Sequence, residues 1–412
     1  MTSTSDYIHV AFAASDDYLQ YVCVTIKSII INNPSDNICI HILSDFISEK
    51  SMIRLNEVCN NVDNILLSTH IIDDRKILGL KDTWSKYTWY RLLIPDIIST
   101  DISCILYLDT DIIVTGRLKR IFSIDMSDKS IAGVTDPLTF KDDAFKRCKY
   151  EKEKKYICAG VLMMNLDYWR EKDLSNTILN WARENNDRII FPDQDTINYI
   201  CRDTKIVLPL KYGFLGTIFE DYHFYRQPYL NELKECLSDP IIIHYGGQAP
   251  WKKEIARHPM QNEWIKYNKM LKHPAKSVHV YNKWISLGYF FSNLLFSKKN
   301  RITIEEITNR IILAEKGLLE AILTKDAENE RKTLETEIFI DSIYKQKDSK
   351  KKERIKLLRQ VDISFYRKYK VCHSANEKLL KLLLSYRLFS IYDSFMMQIY
   401  YKRMRKNGNF IF

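Results

Sequence analysis

Two Asp-x-Asp triplets are the residues of this 412-residue sequence whose types and spacing most directly suggest chemistry. The triplet Asp109-Thr110-Asp111 directly follows the apolar run Cys104–Leu108. Two carboxylates in one turn can reach the same hard divalent cation. An all-oxygen Asp site suits Mg²⁺ or Mn²⁺, and an added imidazole favours Mn²⁺. The spacing by itself also fits a solvated turn whose aspartates cap a helix.

The second triplet, Asp193-Gln194-Asp195, precedes the helical pattern Thr196–Cys201. Because Asp is well suited to the N-cap position, one interpretation is simply the start of a helix. The other places Asp193 and Gln194 in a polar pocket as hydrogen-bonding groups. The sequence leaves both interpretations open.

His244 is an imidazole that could join such a site. It follows the apolar run Pro240–Ile243 and precedes a pair of glycines. A histidine on a strand is more often a core residue than a ligand. At a strand end, beside glycines that free backbone N–H groups, it could instead join a site for a metal and a phosphate. Lys252 and Lys253 follow shortly and add two cations.

The elements that must position these groups alternate between β-like and helical patterns. Short apolar runs predict buried strands, and between them apolar residues recur at helical spacing. This alternation is typical of an α/β domain around a mainly parallel sheet, in which ligands bind beyond the carboxyl ends of the strands. The predicted strands are Ile8–Ala14, Ile38–Leu43, Ile65–Ile72, Cys104–Leu108 and the closely packed Cys158–Val161, and the predicted helices cover Leu19–Ile30, a segment that begins at Ser48, and Trp84–Ile97.

The charge distribution predicts how the chain is divided into domains. The net charge is +10, yet residues 271–412 alone carry 29 Lys and Arg against 15 Asp and Glu. We predict a first domain over residues 1–272, an aromatic connecting segment over 273–300 and a helical, basic region over 301–412.

Nine cysteines without C-x-x-C spacing argue against a zinc ribbon and a secreted disulfide framework. With no signal peptide and no long apolar run, we expect a cytoplasmic protein.

The basic region favours a membrane surface as its partner. Leucines and aromatic residues lie among Lys and Arg over residues 376–406, which is typical of an amphipathic helix in the plane of an anionic membrane. We therefore expect peripheral binding to the inner face of the cytoplasmic membrane. A nucleic-acid-binding module and a helical subdomain that buries its own leucines are the alternatives. Because the aromatic residues do not alternate with Arg and Lys as in a stacking platform, we expect no nucleic acid.

Taken together and in order, several motifs resemble the family 8 glycosyltransferases, the bacterial lipopolysaccharide galactosyl- and glucosyltransferases related to glycogenin. The similarity spans roughly residues 7–255. The motifs are FAASDDY (Phe12–Tyr18), Tyr87–Arg91, ILYLDTDIIV (Ile105–Val114), Asp136 after IAGVT, AGVLMMNLDYW (Ala159–Trp169), FPDQD (Phe191–Asp195) and HYGGQAPW (His244–Trp251).

The resemblance implies a GT-A fold, the Rossmann-like nucleotide-sugar-binding domain. It implies transfer of glucose or galactose from a UDP-sugar to a saccharide acceptor, possibly lipid-linked, with retained anomeric configuration. Mn²⁺, with Mg²⁺ as the alternative, would be held by Asp109, Asp111 and His244. The expected catalytic residues around the transferred sugar are Gln194, Asp193 and Asp136, and the expected donor-binding residues are Ala14, Ser15, Asp16, Tyr18, Arg91, Asp109, Thr110, Ala159, Gly247 and Lys252.

This sequence departs from the family pattern at three places. Ser15 stands where the family often has an acidic residue that contacts uracil or ribose. Cys158 stands where Asn is common, which removes a hydrogen-bonding group near the sugar. The motif that begins at His244 is one residue shorter than usual and lacks the phosphate-binding Lys, which Lys252 or Lys253 would replace.

The mechanism has two interpretations at this stage. Gln194 is a poor nucleophile, because an amide carbonyl is far less basic than a carboxylate. This favours front-face attack by the acceptor, with Gln194 stabilising the oxocarbenium-like centre, over covalent catalysis by Asp193. A nucleotidyltransferase is a further alternative, since it would use the same carboxylate pair and release pyrophosphate instead of UDP.

Overall fold

The computed structural model describes residues 7–60, 62–80, 85–136, 142–215, 232, 236, 239–246, 249–252 and 260–278. The predicted helical, basic region over residues 301–412 lies outside them, as does most of the connecting segment. Among the described residues, no helix is both long enough and apolar enough to cross a membrane.

Strands make up the centre of the described part. They are β1 (Ile8–Ala13), β2 (Ile38–Ser44), β3 (Ile65–Ile71), β4 (Cys104–Leu108), β5 (Ile112–Val114), β6 (Ile131–Thr135), β7 (Ile157–Asn165), β8 (Lys205–Leu208), β9 (Phe214–Leu215) and β10 (Ile242–His244). Seven of them form one sheet in the order β3-β2-β1-β4-β7-β6-β8. β7 is antiparallel to both β4 and β6, and the other neighbours are parallel. The sheet is therefore mostly parallel, and the predicted α/β class is confirmed.

A second, three-stranded sheet brings two distant parts of the chain together. β10 pairs antiparallel with β5 and parallel with β9. In the antiparallel pair, His244 lies opposite Ile112, the residue that follows Asp111. The register of this small sheet therefore carries His244 to the carboxyl end of β4.

Helices cover both faces of the large sheet, because alternate residues of a strand point to opposite faces. Val10 and Phe12 belong to a core that includes the first two helices, whereas Ala11 and Ala13 belong to a core formed with later helices. The helices are α1 (Leu19–Asn32), α2 (Glu49–Cys59), α3 (Tyr87–Tyr90), α4 (Ile94–Ile97), α5 (Lys119–Phe122), α6 (Asp142–Cys148), α7 (Leu166–Glu171), α8 (Leu174–Glu184), α9 (Pro192–Ile200) and α10 (Gln261–Lys269).

The helix predicted over Trp84–Ile97 is divided into shorter pieces. Within its described residues, α3 is followed by a 3₁₀ turn over Arg91–Leu93 and then by α4. Pro95 lies in the first turn of α4, where its missing N–H breaks no helical hydrogen bond. Arg91, the first residue of the 3₁₀ turn, is buried in the protein interior.

The last described residues pack on α1. The Asn32 amide donates to the Tyr267 hydroxyl at 2.8 Å, and the backbone N–H of Lys276 donates to the Gln20 side chain at 3.0 Å. Trp264 of α10 is buried in the same cluster as Tyr21. The described residues up to Val278 thus share a core with α1, and the domain boundary at residue 272 stays a prediction.

Candidate active site

Three side chains of types that can bind a metal converge at the carboxyl end of β4. Asp109 follows β4, Asp111 precedes β5, and His244 ends β10. The Nε2 atom of His244 lies 3.3 Å from Asp111 Oδ1 and 3.8 Å from Asp109 Oδ2. One ligand atom from each residue lies within 4.8 Å of the other two. Two carboxylates and one imidazole at these separations are suited to a divalent cation such as Mn²⁺.

The electrostatics of this triad favour positive charge at its centre. Burial alone would raise the pKa of Asp111, but His244 and the charge of Lys252 lower it, so the carboxylate stays ionised. Burial alone would lower the pKa of His244, but Cys158 and Asp111 raise it well above its ordinary value. A bound divalent cation would displace the imidazole proton, because ligands must be deprotonated.

Gly160 of β7 makes room for the triad. A Cβ atom at Gly160 would lie 2.3 Å from His244 Cε1 and 2.7 Å from Asp109 Oδ2. Any larger residue would therefore push two proposed metal ligands away. The sequence pattern predicts only that this glycine lies in a closely packed strand, because nothing in the sequence indicates which side chains lie opposite it.

Arg91 organises the carboxylates around the triad. Its guanidinium donates to Asp109 Oδ1 at 2.9 Å, lies 3.1 Å from Asp193 Oδ2, and donates to the Ala159 carbonyl. Asp109 Oδ1 also accepts a hydrogen bond of 2.9 Å from the Tyr107 hydroxyl. The described contacts of Arg91 are thus with the protein's own acceptors, and its predicted contact with a donor sugar stays a prediction.

The Asp193-Gln194-Asp195 triplet serves two purposes at the start of α9. The Gln194 Oε1 atom accepts from the Ala159 backbone N–H at 2.9 Å, and its Nε2 atom donates to Asp136 Oδ2 at 3.3 Å. Asp195 is fully buried and accepts from the backbone N–H groups of Ile190 and Phe191. The pocket interpretation therefore fits Gln194, whereas Asp195 holds the turn before the helix.

Asp193 is buried beside Arg91 and away from solvent. Burial raises its pKa to about 6, although the guanidinium of Arg91 acts in the opposite direction. A carboxylate committed to an internal ion pair is less available as a nucleophile than a free one. This favours a positioning role for Asp193.

Most of the remaining predicted donor-binding residues follow β1, the strand that lies beside β4 in the large sheet. The Asp16 carboxylate accepts from the Ser48 backbone N–H at 2.8 Å and so joins β1 to the start of α2. Tyr18 is 41% exposed, and its pKa is raised by burial and by the nearby Asp111. Ala14 is buried, Ser15 and Thr110 are half-buried, and Gly247 lies outside the described residues.

Residues 9–254 match the sequence model described as Glycosyl transferase family 8, which is more than half of the chain. This match defines an enzyme of the glycosyltransferase class. The protein belongs to glycosyl transferase family 8, and the predicted membership is confirmed.

Individual relatives and solved structures that resemble this chain are also glycosyltransferases. The chain is 25% identical over 249 residues to lipopolysaccharide 1,2-glucosyltransferase of Escherichia coli, covering 59% of this chain and 73% of the relative. It is 29% identical over 262 residues to glycosyltransferase GlyF of Streptococcus pneumoniae, covering 62% and 60%. The crystal structure of galactosyltransferase LgtC in complex with donor and acceptor sugar analogs superposes with a TM-score of 0.59 at 22% identity, over 68% of this chain and 99% of that chain. The last similarity confirms the fold.

Proposed function

We propose that the protein transfers glucose or galactose from a UDP-sugar to a saccharide acceptor, with retention of anomeric configuration. The observation that carries the proposal is the triad of Asp109, Asp111 and His244 at the carboxyl end of β4. The acceptor class that fits best is lipopolysaccharide, lipooligosaccharide or another surface glycan, because the relatives in Escherichia coli are named as lipopolysaccharide glucosyltransferases.

The donor set and the space around it fit a divalent cation. Gly160 leaves the gap between His244 and Asp109 free of side-chain atoms of its own. Mn²⁺, or Mg²⁺, bound by Asp109, Asp111 and His244 would supply Lewis-acid stabilisation of the donor diphosphate. Arg91 fixes the orientation of Asp109, and Lys252 adds a positive charge on the Asp111 side that suits the leaving UDP.

The sugar would lie between the triad and α9. Gln194 is held at two points, by the Ala159 backbone and by Asp136. A side chain fixed in this way costs little reorganisation when positive charge develops on the anomeric carbon. We therefore favour front-face attack by the acceptor, with Gln194 stabilising the oxocarbenium-like centre, over covalent catalysis by Asp193. Tyr18 offers an exposed aromatic ring for the base.

We extend the proposal to the location of the enzyme. A cytoplasmic protein that binds the anionic inner face of the membrane through its basic region would meet a lipid-linked acceptor there. This part of the proposal rests on the sequence of residues 271–412, which carries 29 basic against 15 acidic side chains.

The experiment is a UDP-release assay with UDP-glucose and UDP-galactose in Mn²⁺. Asp111→Asn keeps the shape of the side chain and removes its charge, so turnover should be lost while the melting temperature stays near that of the parent. Asp17→Asn is the matched control, since Asp17 is an exposed aspartate at the same edge of the sheet. Normal turnover in Asp111→Asn, or release of pyrophosphate instead of UDP, would contradict the proposal.

A further inference from the structure

A second group of potential metal ligands lies on the neighbouring strands β1 and β2. His9, Cys39 and His41 are all buried, at 6%, 8% and 4% exposure, and one ligand atom from each lies within 4.8 Å of the other two. The parallel register places His9 beside Cys39, with His41 two residues further along β2 on the same face. The group is separate from the Asp109 triad and is not used by the proposed reaction.

The imidazoles form a chain across the sheet. His9 Nδ1 lies 3.0 Å from His41 Nε2, and His41 Nδ1 lies 3.1 Å from His70 Nε2. His70 of β3 is half-buried and also contacts the Ser68 hydroxyl at 3.2 Å. A metal-binding histidine usually donates its second ring N–H to a neighbouring acceptor, which fixes the ring. His70 could be this acceptor for His41, because its Nε2 atom lies next to His41 Nδ1.

The protonation state of the cluster suits a cation. Burial, together with His9 and His70, lowers the pKa of His41 to about 3, so this ring is neutral at pH 7. Burial also lowers the pKa of His70. Cys39 is a free thiol whose pKa burial raises to about 11. Neutral imidazoles bind metal without losing a proton, and a bound metal would displace the proton of the thiol.

We propose that His9, Cys39 and His41 form a second metal site, for a borderline cation such as Zn²⁺. Two imidazoles and one thiolate are ligands that suit Zn²⁺, whereas Mg²⁺ and Ca²⁺ prefer oxygen ligands. Tetrahedral Zn–N bonds of about 2.0–2.1 Å place two nitrogens about 3.3 Å apart, so the His9 and His41 rings need to separate by only a few tenths of an ångström. The fourth position is filled by water or by another small ligand.

The competing explanation is a chain of hydrogen-bonded imidazoles without metal. Such a chain satisfies the ring nitrogens of His41, each as donor or acceptor. It gives no role to Cys39, which the register brings to the same place. A bound metal would connect β1 and β2 through their side chains, in addition to the backbone hydrogen bonds between these strands. His70 connects the site to β3, the partly exposed edge strand of the sheet.

Cobalt substitution tests the proposal on the full-length protein. Co²⁺ bound by a thiolate gives an intense charge-transfer absorption, which oxygen and nitrogen ligands do not. Cys158 lies 3.6 Å from His244 and is the thiol that could produce a similar signal at the active site. The matched pair is therefore Cys39→Ser and Cys158→Ser. The absorption should be present in the parent and in Cys158→Ser, and absent in Cys39→Ser.

Two further measurements keep the outcome decisive. Asp111→Asn should retain one equivalent of Zn²⁺ per chain after dialysis, because this second site does not use Asp111. Added Zn²⁺ should raise the melting temperature of Asp111→Asn, whose triad has lost a ligand, and leave that of the double variant Asp111→Asn, Cys39→Ser unchanged. A parent protein without the thiolate absorption, or an Asp111→Asn protein that binds no Zn²⁺, overturns the proposal and leaves the hydrogen-bonded imidazole chain. Because the parent alone can overturn it, the test stands even if Cys39→Ser folds poorly.

Discussion

Replacing Gly160 with alanine changes the candidate metal site by one methyl group. The new Cβ atom would lie 2.3 Å from His244 Cε1, whereas ordinary van der Waals contacts begin at 3.4 Å. The imidazole must therefore move by about 1 Å, while metal–ligand distances tolerate only about 0.2 Å. Asp109 is displaced as well, because its Oδ2 atom would lie 2.7 Å from the same methyl group.

The expected consequence is a loss of Mn²⁺ affinity rather than a loss of fold. Removing groups that orient metal ligands typically costs about 10- to 100-fold in affinity or activity, and we expect at least this effect. Titrating Mn²⁺ into metal-free protein and following UDP release gives the affinity and the maximal rate separately. Thermal melting in chelator gives the stability without metal.

Gly133→Ala is the control. Gly133 lies in β6, where a Cβ atom would meet Ile157 Cδ1 at 2.8 Å, the end of a flexible side chain. Overpacking of this kind costs about 1–3 kcal/mol, so the melting temperature should fall while Mn²⁺ affinity stays unchanged. If Gly160→Ala bound Mn²⁺ and turned over like the parent, the assignment of His244 and Asp109 as metal ligands would be refuted.

Three further predictions concern the sugar, the histidine chain and the membrane. Gln194→Ala should lower kcat far more than it raises the KM for the donor, because its proposed contact strengthens as charge develops; an effect on KM alone would place Gln194 on the nucleotide. In metal-free buffer, the free energy of unfolding should fall as the pH drops from 6.5 towards 3. The pKa of His41 is lowered to about 3 in the folded protein, so between these pH values only the unfolded chain takes up a proton on this residue. His41→Gln should flatten the curve of melting temperature against pH, and an unchanged slope would count against this reasoning. Full-length protein should float with anionic but not neutral liposomes at low salt and be released at high salt; protein that stays unbound beside anionic liposomes would end the membrane proposal.

Local patterns predicted the first half of the sheet well. β1, β2, β3 and β4 begin at the predicted residues, and the first three end within one residue of the prediction. Fully buried strands carry nearly continuous apolar runs, as β1 and β2 do apart from polar residues such as His9 and His41, and such runs are visible in a sequence. The antiparallel direction of β7 was not predicted, because strand direction depends on pairing between distant segments.

The sequence predicts those residues of the candidate site that directly follow a strand. Asp109 and Asp111 follow a buried strand, so their position was visible in the sequence. The role of Gly160 and the chain of His9, His41 and His70 were missed. Both depend on which residues lie opposite one another across strands, and this register is set by the folded sheet.

The most direct test of the central claim is the metal dependence of UDP release. Metal-free protein would be assayed with UDP-glucose and UDP-galactose in chelator, and again after Mn²⁺ is restored. We predict no release in chelator, release from at least one of the two donors with Mn²⁺, and none from Asp111→Asn under either condition. Equal turnover with and without metal would contradict the claim that Asp109, Asp111 and His244 hold the ion on which sugar transfer depends.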